Sequence, residues 1–244
     1  TSVFQQQLAS LALARRLKNA APDVFIAFGG ANCEGAMGRE LIRQFDALDA
    51  AVSGEGEIVF PQIVDRVLRG APVTDLAGVS SAVDRDTSRP ARPITHAPKV
   101  THMDQLPVPD YADFFAARRR SGRASTVEPW LSFETSRGCW WGEKKHCTFC
   151  GLNGAGMAFR SKSSDRALGE LGDLLERHPV ARVQVVDNIL DMQYFKNFIP
   201  ALATRGWDVE LFYEVKANLS KDHLRQLRDA GITKIQPGIE SLSS

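Results

Sequence analysis

Cysteine is scarce in this chain: four residues in 244, at positions 33, 139, 147 and 150. A chain of this length needs no disulfide framework, and four cysteines with three clustered do not build one. An excess of charge of one sign is also missing. Thirty Lys and Arg against 29 Asp and Glu leave a formal charge of +1, which removes any broad electrostatic case for nucleic acid or an anionic membrane as partner. No apolar run approaches the ~18 residues of a membrane-spanning helix. The stretch 8–17 is apolar at its start, but Arg15, Arg16 and Lys18 follow that part instead of preceding it, the reverse of a signal peptide. A reducing compartment, the cytoplasm by default, is the expected setting. Position 1 is Thr1, not methionine.

What is present reads as two α/β segments joined by a proline-rich stretch. Residues 2–20 carry Phe4, Leu8 and Leu11 at helical spacing. Val24-Phe25-Ile26-Ala27-Phe28 is a short apolar run of the kind buried on both faces, followed by Gly29-Gly30, and Ala50-Ala51-Val52-Ser53 is a second, followed by Gly54-Glu55-Gly56. Helices fit 36–45 and 58–69. This αβαβα order predicts the later half of a doubly wound domain over 1–70, with ligands beyond the carboxyl ends of its strands. Two strands do not make a stable open sheet, so earlier strands are expected before Thr1. Residues 71–127, with prolines at 72, 90, 93, 98, 107 and 109, read as a linker. Its Leu106-Pro107-Val108-Pro109-Asp110-Tyr111 is suited to dock on a neighbouring domain. Its Arg118-Arg119-Arg120 run reads first as a solvated face, with contact to an acidic peptide or a phosphate as the alternative. From 128 to 244 strands (130–134, 183–186, 209–215, 233–236) alternate with helices (163–177, 192–205, 220–230), which predicts a parallel sheet and the first half of a (β/α) barrel.

The densest chemistry lies in the loop after the first of those strands. Seven residues separate Cys139 from Cys147 and two separate Cys147 from Cys150. Three thiolates on one loop can share one inorganic centre and leave one position open. Spacing alone leaves three readings: an iron–sulfur centre, a zinc site or free thiols. A closed zinc site would need His146 or Cys33 as fourth ligand. No second C-x2-C or H-x3-H pair is present, and His146 directly precedes Cys147, which is awkward for joint ligation. Iron–sulfur clusters are bound by short runs of cysteine, and the spacing favours that reading. Trp140 and Trp141 would exclude water, and Phe149 would stack on an adenine; plain loop packing is the alternative for all three.

Ser136-Arg137-Gly138-Cys139-Trp140-Trp141-Gly142-Glu143 with Cys147-Thr148-Phe149-Cys150-Gly151-Leu152-Asn153-Gly154 resembles the radical S-adenosylmethionine (SAM) superfamily. Within it, the long first gap resembles the cobalamin-binding proteins that mature ribosomally made peptides of the bacteriocin type. The resemblance extends to residues 28–35, 54–57, 106–111 and 238–241. It implies a cobalamin-binding domain followed by a partial radical SAM barrel. Cys139, Cys147 and Cys150 would then hold a [4Fe–4S] cluster whose open iron SAM chelates, and one-electron reduction would release a 5′-deoxyadenosyl radical. Phe149, Asp187, Asn188, Lys216, Asn218 and Glu240 would contact SAM; the more usual Gly-Gly-Glu is absent. Gly29, Gly30, Gly54, Glu55 and Gly56 would approach cobalamin, since glycine lacks a Cβ. The reaction implied is C-methylation of a precursor peptide, with a flavodoxin or ferredoxin as electron donor. A cobalamin-dependent enzyme that does not methylate, or acts on a non-peptide, is the neighbouring alternative. A zinc-stabilised, non-catalytic peptide-binding module is the alternative of another class.

Overall fold

The computed structural model describes residues 4–88, 90–121, 128–151, 156–178 and 180–240. Leu152, Asn153, Gly154 and Ser241, which figured in the motifs above, lie outside them. The chain divides into two compact units, Thr1–Thr101 and His102–Ser244.

In the first unit α1 (Phe4–Ala20), β1 (Ala27–Phe28), α2 (Ala36–Gln44), β2 (Ala50–Val52) and α3 (Gly56–Leu68) follow the expected order. Leu11 and Ala14 of α1 face inward, whereas Leu8 is 79% exposed, so the buried stripe of this helix is narrower than its leucines suggest. Phe28, Cys33, Leu41, Ile42, Leu48 and Ala51 complete that core. Burial drives the Cys33 thiol towards its neutral form. It is fully enclosed in this core.

The linker expected over 71–127 is corrected by the structure. Its first part holds β3 (Val79–Ser81), which pairs antiparallel with β2 while β1 pairs parallel with it. The Asp84 carboxylate then accepts the Ser81 backbone N–H at 2.9 Å. A three-residue strand among prolines carries no periodicity, and its partners in β2, from Val52 opposite Val79 to Ala50 opposite Ser81, are distant in sequence, so nothing local announces it.

The second unit contains α4 (Ala112–Arg120), β4 (Leu131–Phe133), β5 (Ser136–Arg137), α5 (Trp140–Lys144), β6 (Arg160–Ser161), α6 (Ser164–Arg177), β7 (Arg182–Val185), α7 (Phe198–Arg205), β8 (Glu210–Lys216), α8 (Lys221–Asp229) and β9 (Lys234–Gly238). Its main sheet runs β4-β7-β8-β9, all parallel and in chain order. Ser163 and Ser220 cap α6 and α8 through their hydroxyls, and Gly206 ends α7 in the left-handed conformation. Leu131, Phe133, Val183, Val185, Leu211, Tyr213 and Val215 project from one sheet face into the same core as α6, α7 and α8. Because strand side chains alternate, Ser132, Gln184, Phe212, Glu214 and Lys216 belong to the opposite face. The stretch 106–111 packs within this unit: Arg166 donates to the Leu106 carbonyl, and the Tyr111 hydroxyl donates to Ser132 O at 2.8 Å.

Candidate functional site

Parallel strands deliver their following residues to one end of the sheet. That end of the second unit carries Thr135 and Ser136 after β4, Asp187 and Asn188 after β7, Lys216 and Asn218 at β8, and Glu240 after β9.

Asp187 holds the root of the cysteine loop. Its carboxylate accepts the Thr135 backbone N–H at 2.7 Å, the Ser136 hydroxyl at 2.8 Å and the Thr135 hydroxyl. The Thr135 and Tyr213 hydroxyls lie 3.1 Å apart, and Tyr194 donates to the carbonyls of Thr135 and Lys162. Thr135, Ser136 and Asp187 are all buried. Burial pushes the Asp187 carboxyl up to about 6, with the bonds from Thr135 and Ser136 acting in the opposite sense. A SAM contact at Asp187 would share its oxygens with these bonds to Thr135 and Ser136.

From this root β5 pairs with β6, which returns the chain beside the loop. Gly138 has φ 81°, and a Cβ there would come within 2.3 Å of Ala158 O. A side chain is excluded twice, by conformation and by space. Cys139 then caps α5, its Sγ accepting from Gly142 N at 3.3 Å. The Trp140 indole donates to Leu190 O at 3.0 Å, in the loop after β7. Lys216 places its ammonium 3.5 Å from the centre of the Trp141 ring. The expected Lys216 contact with SAM thus meets a competing partner. A cation on an indole face contributes about 0.5–2 kcal/mol. Lys216→Met is expected to shift tryptophan emission and to speed exchange of the α5 amides, with Lys216→Arg close to wild type; unchanged emission in both variants would remove the cation–π contact.

Cys139, Cys147 and Cys150 are free thiols of intermediate exposure. Thiols of this kind are the donors an iron–sulfur cluster takes, and an N–H on a cysteine sulfur is one of the features that tune such a cluster. The donor chemistry therefore fits, although among the described residues no three Cys, His, Asp or Glu side chains already gather as a metal site. Phe149 is 66% exposed, open to a ligand face. Asn188 is half-buried, and Asn218 is exposed.

Glu240 adopts φ 63°, uncommon outside glycine, and its Oε1 lies where a Cβ on Gly238 would approach within 3.1 Å. Glu214, missed from the sequence, is its partner: burial and then the Glu240 charge raise its carboxyl above the ordinary range. Alternation along β8 was the available signal, since Glu214 shares a sheet face with Lys216.

In the first unit the glycine sites divide. A Cβ at Gly29 or Gly56 meets nothing within 4 Å, and Gly30 has φ 89°, a conformation that favours glycine. Gly54 (φ 94°) is instead covered by the Ala97 backbone, 3.1 Å from a would-be Cβ, and its N–H donates to Glu34. Glu55 accepts from Val100 N at 2.9 Å. Gly54 and Glu55, expected near cobalamin, thus lie against the 97–100 segment in this structure.

No helix among the described residues is long and apolar enough to cross a membrane. No family model matches the chain. It is 25% identical over 237 residues to an uncharacterized methyltransferase of Pyrococcus horikoshii, covering 95% of this chain and 48% of that protein. It is 23% identical over 240 residues to the hopanoid C-3 methylase of Methylococcus capsulatus, covering 95% and 42%. The chain thus spans under half the length of these curated relatives. Its fold is similar to that of TsrM, a radical SAM methyltransferase from Kitasatospora setae solved with tryptophan substrate and a SAM analogue (aza-SAM). The TM-score is 0.72 at 16% identity, over 96% of this chain and 44% of that one. That likeness concerns the fold.

Proposed function

We propose that this chain belongs to a radical SAM methyltransferase in which Cys139, Cys147 and Cys150 hold a [4Fe–4S] cluster. The observation that carries this is three free thiols on a loop that Asp187 roots and Trp140 and Trp141 fasten at the carboxyl end of a parallel sheet. Likeness to two methyltransferases in sequence and to a third in fold supports it. The cluster with SAM supplies radical chemistry, and cobalamin, held beside Gly29, Gly30 and Gly56, supplies methyl transfer.

This chain's own residues bind and shield. Glu214 and Glu240 offer carboxylates to the ammonium or ribose hydroxyls of SAM, and Phe149 offers a ring to its adenine. Lys216 on Trp141 keeps a cation beside the cysteine loop and closes that side to water. The peptide substrate rests on the motif resemblance, as do a flavodoxin or ferredoxin donor and a cytoplasmic setting.

The test is transfer of an isotopically labelled SAM methyl group to a co-expressed precursor peptide. The expected product gains one labelled methyl on carbon. SAM cleavage with an unmethylated peptide would instead place the chain with the radical enzymes that do not methylate.

A further inference from the structure

A cavity of about 330 Å³ opens in the first unit beside the carboxyl end of β2 and the start of α2, lined in part by Gly35, Ser53, Gly78, Thr95, Arg39 and Arg92. Three of its lining side chains are formally charged: Arg39, Asp75 and Arg92. Asp75 is held by both terminal nitrogens of Arg66, at 2.8 and 2.9 Å. Arg92 is held by the buried carboxylate of Asp84, through Nε at 3.0 Å and through Nη2. Asp84 also accepts the Ser81 N–H at 2.9 Å.

Arg39 shares Asp84 with Arg92, but at longer range. Its side chain is 12% exposed, and Asp84 Oδ1 lies 3.9 Å away, outside hydrogen-bond reach. Its Nε is buried without an acceptor. A guanidinium carries five donors and stays charged, and a buried donor without an acceptor is costly. Arg39 also stands in the first turns of α2, whose amino end favours negative charge. Asp75 is neutralised by Arg66, whereas Arg39 and Arg92 share the single carboxylate of Asp84, which leaves the cavity one positive charge in excess.

We propose that Arg39 makes this cavity a binding site for a phosphate-type oxyanion, with the guanidinium as its principal donor. Two sources share that chemistry: free phosphate or a small phosphorylated molecule, and the phosphodiester in the nucleotide tail of cobalamin. Only the second rests on the function proposed above.

Calorimetric titration of the intact chain separates them. The probes are inorganic phosphate, hydroxocobalamin and cobinamide, which has the corrin ring without the nucleotide tail, at ionic strength fixed with chloride. Phosphate, or cobalamin in preference to cobinamide, is expected to bind the wild type. Arg39→Gln should weaken that binding by about tenfold to a hundredfold, the worth of a charged hydrogen bond. Arg39→Lys keeps the charge without the fork and should fall between; it also serves as the variant that folds if Arg39→Gln does not. Phosphate binding that depends on Arg39, with no binding of cobalamin, would uphold the site and count against the corrinoid. No binding of phosphate or cobalamin by the wild type would overturn the proposal, as would affinities that neither Arg39 variant changes.

Discussion

Replacing Cys147 by alanine is expected to abolish iron and sulfide binding while leaving the chain folded. The thiol is of intermediate exposure and free, and the bond recorded at this residue, from Cys150 N to its carbonyl, belongs to the backbone. Alanine keeps that bond, so the change in stability should stay within about 0.5 kcal/mol. Cys33→Ser makes the opposite case. Its thiol is fully buried with Ile42 and Leu48, so a hydroxyl there should cost on the order of 1–3 kcal/mol and leave iron content untouched. Iron and sulfide counts on anaerobically reconstituted protein, beside circular dichroism melts of the same samples, make both comparisons. Wild-type iron content in Cys147→Ala would sink the assignment of the cluster ligands.

The second large effect concerns Asp187. Asp187→Ala strips acceptors from a buried N–H and two buried hydroxyls at the root of the cysteine loop. Each orphaned group costs about 1–3 kcal/mol, so the loss should be several kcal/mol, with Asp187→Asn milder. The pH dependence carries a sign. The Asp187 carboxyl is raised from its ordinary 3.8 to about 6, so the folded state holds its proton more tightly than the unfolded state. Its contribution therefore favours folding most at low pH and declines as pH rises from about 4 to 6, then levels off. That interval corresponds to on the order of 3 kcal/mol. Relative to Asp187→Asn, which cannot titrate, the wild type should gain stability as pH falls from 6 to 4. Urea unfolding followed by tryptophan emission is a suitable probe, because the four tryptophans, at 130, 140, 141 and 207, all lie in the second unit. A stability gap that stays constant across this range would contradict the burial of an ionisable Asp187.

Much of this site was legible from local signals. The spacing of Cys139, Cys147 and Cys150, the serine caps at 163 and 220 and the apolar runs of β7 and β8 are written in neighbouring residues, and the structure places those elements as expected. What stayed hidden depends on partners distant in sequence. Asp187 could be placed at a strand end, but its commitment to Thr135 depends on a residue 52 positions earlier. Glu55 likewise sits at a strand end, and its partner Val100 is 45 positions later. Residue type alone does not show whether a strand-end carboxylate serves a ligand or the chain. Lys216 shows the same limit, since its cation–π partner Trp141 arrives on another loop. The pairing of β3 with β2 depends on register, which composition does not encode.

If the loop from Cys139 to Cys150 assembles a cluster that SAM reaches, the cluster will report on SAM binding. Anaerobic reconstitution followed by electron paramagnetic resonance of the reduced protein, with and without SAM, tests it most directly. A brown protein is expected, with iron and sulfide in the proportion of a [4Fe–4S] cluster and a signal that changes when SAM is added. A colourless protein carrying stoichiometric zinc, or a cluster signal indifferent to SAM, would contradict it.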